Sequence, residues 1–287
     1  MGVMVYAFPG AGALDYFACH YGTSRLLFRG PQRPTDGDFI ACLGGSETYG
    51  KYIPRPFADL VEGMLGVAVV NLGCANSGPD VYLAEEGVTE LAARARAVVV
   101  QICGAQNLTN RYYAVHPRRN DRFLGATALL RALFRDIDFT EFSFTRHMLI
   151  SLQAASPDRF EVVAEELRAA WVARMRLLLS RLPGPVVLLW MADGPPPPPT
   201  RRADLGHAPL LVDAEMVAAL KPHADTILQV LPSAAARAAG TEGMAFGPLE
   251  GPAAAHLPGP RHHAEVAGQL AEVLKPLLRP VTKPSSG

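Results

Sequence analysis

Residues 39–50 read Phe-Ile-Ala-Cys-Leu-Gly-Gly-Ser-Glu-Thr-Tyr-Gly, with the serine at position 46. A short apolar run stops at two glycines and a serine follows at once. Pro54 then precedes a stretch, 55–65, with the apolar spacing of a helix. Glycine tolerates backbone angles that other residues resist, so a Gly-Gly pair lets a chain leave a buried strand in a tight turn. A serine on such a turn stands at the carboxyl edge of the sheet, where open α/β sheets place their ligands. The plainer reading of Ser46 is a cap for the following helix.

Outward from this turn, the same rhythm repeats. Runs at 67–72 (Val-Ala-Val-Val-Asn-Leu), 97–103 (Ala-Val-Val-Val-Gln-Ile-Cys), 185–191 and 226–231 predict four further strands. Helices are expected at 55–65, 80–96 with a break near Gly87, 126–135, 159–182, 212–220 and 262–278. Short strands alternating with helices imply a parallel sheet covered on both faces, an α/β fold. Strands that are apolar throughout, rather than every second residue, agree with that. Residues 1–38 have no clean period and read as an N-terminal arm packed on the domain. The α/β domain covers 39–280. Residues 105–156 interrupt the rhythm as an insertion with short helical pieces, and 281–287 reads as a flexible tail. Pro195–Pro199 predicts an exposed polyproline segment directly after the fourth strand.

The composition narrows the function. Twenty-seven basic and 27 acidic residues leave no net charge, which argues against a nucleic-acid partner. No run of 18 apolar residues predicts a membrane span. The first nine residues lack the basic start of a secretory signal, and the four cysteines (Cys19, Cys42, Cys74, Cys103) form no Cys-x-x-Cys pair. The expectation is therefore a cytoplasmic protein without disulfides, zinc or another metal. Whether it self-associates is left open.

Polar groups gather at the predicted strand ends. The first end supplies Ser46. The second supplies Asn71-Leu-Gly73-Cys-Ala-Asn76-Ser-Gly78, and the third Gly104-Ala-Gln106-Asn107. His262 and His263 open the last helix after Pro258-Gly-Pro-Arg. A serine hydroxyl needs a base such as imidazole to act as a nucleophile, and a developing oxyanion needs amide donors aimed at it.

This order resembles the SGNH (GDSL-like) hydrolase superfamily. That family has a serine after the first strand, a glycine after the second, an asparagine after the third and a histidine at the start of the last helix. The matching positions are Ser46, Gly73 or Gly78, Asn107 and His263. His263 is favoured over His262 because Gly268 lies five residues on. The resemblance spans about 39–110 and 256–278. It implies a flavodoxin-like three-layer α/β/α sandwich with a five-stranded parallel sheet, and hydrolysis or transfer of acyl groups on small, carbohydrate or lipid esters. It implies Ser46 as nucleophile, His263 as base, an oxyanion hole of the Ser46 amide, Gly73 or Gly78 and Asn107, and no metal or organic cofactor.

Two departures matter. Gly45 stands where the family has Asp, and Pro260 (Gly259, counted from His262) stands where it has the acid three residues before the histidine. Asp193, at the end of the fourth predicted strand, is the first candidate to replace that acid, ahead of Glu242 and Glu250. Without one, the site works as a dyad or is a non-catalytic binding pocket. The insertion carries Arg111, His116, Arg118, Arg119, Arg122, Arg131, Arg135, Arg146 and His147. Arginine forks suit carboxylate, phosphate or sulfate, so Arg111, Arg118, Arg119 and Arg122, with His262, are candidate binders of an anionic group on the substrate. The plainer alternative is a solvated face paired with nearby acids. An anionic donor would make the protein a transferase of acyl or sulfuryl groups. A thiol mechanism through Cys74 or Cys103 is the remaining alternative.

Overall fold

A computed structural model of the chain describes residues 14–200 and 202–278. The expected tail at 281–287 and the first 13 residues of the expected arm lie outside them. Five strands form one parallel sheet: β1 (Phe39–Leu43), β2 (Ala68–Asn71), β3 (Ala97–Gln101), β6 (Val186–Met191) and β7 (Thr226–Val230), in the order β2-β1-β3-β6-β7. Numbered within the sheet this is 2-1-3-4-5, the flavodoxin-like doubly wound order. The chain leaves β1 toward β2 on one side and returns to β3 on the other. The crevice at the carboxyl ends of β1 and β3 is thus the topological switch point, where ligands bind in such sheets.

The strand residues divide between two apolar layers, as a pleated strand requires. Phe39, Ala41, Leu43, Val98, Val100, Leu188 and Trp190 pack on the side of α3 (Pro79–Leu83), α4 (Glu86–Ala93) and α7 (Pro157–Ser180). Ile40, Cys42, Val99, Val187 and Leu189 pack on the other side, against α2 (Phe57–Leu65) and α11 (Pro260–Leu277). The result is the three-layer α/β/α sandwich. Both faces are buried, which explains why each strand reads as an unbroken apolar run.

The predicted strands and long helices agree with the observed ones to within about three residues, and the expected break near Gly87 falls at Ala84–Glu85. The insertion differs. Besides α5 (Ala128–Leu133) it holds an antiparallel hairpin, β4 (Tyr113–His116) with β5 (Arg119–Ala126), and a further helix, α6 (Thr145–Ala155). The hairpin has no visible apolar period, because the deepest inward position of β5 is Asn120. The described residues before β1 make contacts with the loop after it. Tyr16 lies against Tyr49, with ring centroids 5.1 Å apart, and accepts from the Tyr52 N–H at 2.9 Å. Arg29 donates to the carbonyls of Gly50 (2.7 Å) and Pro54 (2.9 Å), fastening the loop between α1 (Ser46–Tyr49) and α2. Among the described residues no helix is long and apolar enough to cross a membrane.

Trp171, fully buried on α7, ties that helix to the sheet by donating its indole N–H to the Cys103 carbonyl at 2.9 Å. Trp171→Ala removes a large core side chain and orphans that carbonyl. The expected cost is about 3–5 kcal/mol, read as a lower urea midpoint at unchanged slope.

Candidate functional site

Ser46 is the first residue of the four-residue helix α1, directly beyond the end of β1. Its turn is held by one side chain of the neighbouring strand. Gln101, the last residue of β3, is buried, and its Oε1 accepts from the Gly45 N–H (3.0 Å), the Thr48 N–H (3.1 Å) and the Thr48 hydroxyl (2.6 Å). Its Nε2 donates to Glu47 Oε2 at 2.8 Å. Gly44 is obligatory here, because a Cβ would sit 2.1 Å from Thr48 Oγ1 and 2.5 Å from Gln101 Oε1.

The exit from β2 reaches across to the serine. Asn76 has a left-handed backbone (φ 56°), which asparagine tolerates better than most residues. Its N–H donates to Ser46 Oγ at 3.0 Å, and Ser46 Oγ donates to Asn76 Oδ1 at 3.0 Å. The two candidate glycines have other partners. The Gly73 N–H donates to Asn71 Oδ1 at 2.9 Å, and the Gly78 N–H donates to Asn120 Oδ1 at 3.0 Å. Each is a site of close approach instead. A Cβ on Gly73 would meet the Tyr49 nitrogen at 2.3 Å, and one on Gly78 the Asn107 carbonyl oxygen at 2.0 Å. The backbone donor that the structure brings to Ser46 is that of Asn76, a residue no composition cue singles out.

At the exit from β3, Asn107 lines the same cavity as Ser46, but its amide is committed. Nδ2 donates to the Asn76 carbonyl at 2.8 Å, and Oδ1 accepts from Thr145 Oγ1 at 2.7 Å. It braces the Asn76 turn against α6. Gln106 differs. It also lines the cavity, its Oε1 is buried without a partner, and among the described residues its Nε2 makes no hydrogen bond. Gly104 makes room for it, since a Cβ there would meet Gln106 Oε1 at 2.2 Å.

The histidines separate. His262 and His263 fall in the first turn of α11 and share the helical stripe that buries Val266, Ala267 and Leu270. His263 is fully buried. Its Nδ1 accepts from the Phe57 N–H at 3.1 Å, capping α2, its ring stacks on Phe57, and its Nε2 has no partner. Burial first, then the neighbouring His262 and Arg29, holds its pKa down at about 3, so the ring is neutral. His262 Nε2 lies 3.2 Å from the Val230 carbonyl, and burial lowers its pKa as well. Neither ring borders the cavity at Ser46. His256 does. It lies in the segment between α10 (Gly251–Ala254) and α11, exposed, and lines the same cavity of about 360 Å³ together with Ser46, Asn76, Gln106, Asn107 and Arg146. The sequence carries a signal for it. The Leu-Pro-Gly-Pro stretch at 257–260 delays the helix, leaving His256 at the sheet edge while His262 and His263 turn into the core.

The other candidates scatter. Asp193 is exposed, and its backbone carbonyl accepts from Arg237 at 2.8 Å; the residue borders a second cavity, of about 400 Å³, together with His256. Glu250 accepts from the Tyr52 hydroxyl at 3.0 Å and from the Gly247 N–H, and makes no hydrogen bond to a histidine among the described residues. Arg111 pairs with Glu166, Arg118 borders a separate recess beside Glu85 and Glu86, Arg119 is exposed at the hairpin turn, and Arg122 lies over the Phe144 ring. From the basic insertion it is Arg146 that reaches the Ser46 cavity, joined by Lys51. Desolvation pushes the Cys74 thiol up to about 12 and raises that of Cys103, so neither offers a thiolate at neutral pH.

A family model described as a domain of unknown function, DUF6473, matches residues 4–278. No curated protein matches the sequence. Among solved structures, an acetyl xylan esterase from Butyrivibrio proteoclasticus is 14% identical at a TM-score of 0.42, covering 88% of this chain and 67% of its own. A family two carbohydrate esterase from Clostridium thermocellum is 13% identical at 0.42, covering 88% and 67%. A lipase/acylhydrolase from Enterococcus faecalis is 14% identical at 0.38, covering 86% and 100%. At that level of likeness no residue role transfers.

The buried imidazole of His263 makes stability depend on pH. Its pKa is about 3 in the fold against about 6.5 in the unfolded chain. Below pH 6.5 the unfolded chain binds a proton that the folded one refuses. The contribution is therefore complete above about pH 6.5 and is lost as pH falls toward 3, at up to about 1.4 kcal/mol per pH unit. Urea titrations at pH 7.5, 5.5 and 4.5 should show this fall, and His263→Gln, which keeps an acceptor for the Phe57 N–H, should flatten it.

Proposed function

We propose that this chain, which belongs to the DUF6473 family of domains of unknown function, is an ester hydrolase or acyl transferase that uses Ser46. The observation that carries this reading is the meeting of Ser46 and His256 on one cavity at the switch point of the sheet. Gln106 supplies an amide with unspent hydrogen-bonding capacity on the same wall.

In this reading Ser46 Oγ attacks the carbonyl carbon of a small-molecule ester and His256 takes its proton. Negative charge grows on the carbonyl oxygen. Two donors are at hand, the Ser46 N–H and the Gln106 side-chain amide, while the Asn76 N–H is held by Ser46 Oγ itself. Preorganised donors of this kind supply a large part of the rate in acyl transfer. His256 then returns the proton to the leaving oxygen, and water or another alcohol reverses the sequence. No residue of the chain need hold a cofactor for these steps.

His256 accepts the role on position, not on a carboxylate. Among the described residues no Asp or Glu is hydrogen-bonded to it, so the pair acts as a dyad. Losing the orienting acid costs about 10⁴-fold in triad enzymes, so slow turnover is expected. Asp193 shares only the neighbouring cavity with His256, and Asp193→Asn should leave turnover within about threefold.

Ser46→Ala should remove hydrolysis of short aryl esters by about 10³-fold or more, while lowering stability by no more than about 1–3 kcal/mol, which is what its bonds to Asn76 are worth. A fluorophosphonate should label Ser46, and His256→Ala should slow that labelling by about 10²-fold, whereas His263→Gln should not. Mass spectrometry of the labelled peptide decides the matter. Label absent from Ser46, or a Ser46→Ala protein as active as the parent, removes the assignment.

A further inference from the structure

The Ser46 cavity adjoins a second chamber. The second, of about 400 Å³, shares Arg146, Ala208, Pro209 and His256 with the first. His256 thus stands at their junction. A base that moves protons for acyl transfer must meet two partners: the serine on one side, and on the other the oxygen that leaves or arrives. The first chamber holds the serine and the amide donors. The second holds neither, and Pro197 and Leu211 contribute to its lining. Division of labour follows from this placement.

We infer that the second chamber is the site of the alcohol half of the reaction, the acyl acceptor or the leaving alcohol, and that it favours an alcohol carrying an anionic group. This rests on the reading of Ser46 above. The anionic preference comes from Arg146 on α6 and Arg168 on α7, which both border the chamber. Among the described residues neither guanidinium has an ion pair or a hydrogen bond. The acids of the same wall are mostly occupied. Asp204 bonds His207 and the Gly206 N–H, and Asp213 caps the short helix α8 (Ala214–Ala218) through the Met216 N–H. Asp193 alone among them has a carboxylate without a hydrogen bond among the described residues. Two guanidinium forks without partners among the described residues thus share the chamber with three carboxylates, two of them held by the N–H groups of their own turns, and forks of this shape take phosphate or carboxylate bidentately.

The transfer step balances as follows. The acceptor alcohol gives its proton to His256 as its oxygen bonds the acyl carbon. The bond from that carbon to Ser46 Oγ breaks, and His256 returns the proton to Ser46.

Arg168 borders only the second chamber and is the residue to test. With an aryl acetate as donor, glycerol 3-phosphate should capture the acyl group saturably, at about a tenth or less of the concentration that glycerol needs. Arg168→Glu should erase that preference, lowering capture by glycerol 3-phosphate at least about tenfold more than capture by glycerol. Calorimetry on the Ser46→Ala protein reads the site without chemistry. Glycerol 3-phosphate should bind, and Arg168→Glu should weaken it at least about tenfold. A labelled Ser46 together with binding and capture indifferent to Arg168→Glu overturns the acceptor site alone. A Ser46 that takes no label overturns the acyl-enzyme reading beneath it.

Discussion

One side-chain carbonyl organises the carboxyl edge of this sheet. Gln101 Oε1 accepts three hydrogen bonds from the turn that carries Ser46, and its Nε2 holds Glu47. Each of those donors is buried, and an unmade bond there costs about 1–3 kcal/mol. The serine's position is therefore fixed from the adjacent strand rather than by its own turn. This works because β1 and β3 are hydrogen-bonded neighbours with Leu43 opposite Val100. The residue after Val100 is then within reach of the residues after Leu43. The strand order of the fold and the orientation of Ser46 are one constraint.

The same neighbourhood is tied down from three further directions. Asn71 bridges the end of β2 to α1, donating from Nδ2 to the Thr48 carbonyl at 2.7 Å while its Oδ1 accepts from Gly73. The Tyr82 hydroxyl of α3 accepts from the Gly44 N–H at 2.8 Å and stands within hydrogen-bond reach of the Gly44 and Leu72 carbonyls. Arg29 of the arm fixes the loop beyond α1. These partners are short polar groups at close backbone approaches, which is why glycine recurs at 44, 73 and 78. A methyl group at any of the three would fall within 2.3 Å of an existing atom.

The architecture was legible because both faces of the sheet are covered. Unbroken apolar runs such as Ala97–Gln101 announce parallel strands, and the helices between them keep a clear period. The insertion was not, because its hairpin buries Asn120 where an apolar residue would mark a strand, and that asparagine works as an acceptor for the Gly78 and Val81 N–H groups. At the candidate site, the placement of Ser46 on a turn beyond β1 was legible from its glycines. Which histidine borders its cavity was harder. Two adjacent histidines at a helix start draw attention, yet their spacing to Val266, Ala267 and Leu270 places them on the buried stripe, and the proline before them marks where the helix begins. Asn76 and Gln106 carry no signal that distinguishes them from any loop amide. Their roles depend on which hydrogen bonds their neighbours have already taken.

That last point separates the unsatisfied polar groups of this protein by meaning. His263 Nε2 and Gln106 Oε1 both lack a partner among the described residues. His263 is fully buried with its ring on Phe57, so its orphaned nitrogen is a standing cost offset by the cap it gives to α2. Gln106 stands on a cavity wall beside Ser46, where an incoming O–H or N–H donor can supply the partner its Oε1 lacks, and its Nε2 can donate to an incoming carbonyl oxygen. An unpaired group in the core subtracts from stability whatever is bound. An unpaired group on a cavity wall is repaired by binding, so its cost becomes affinity for whatever brings the missing partner.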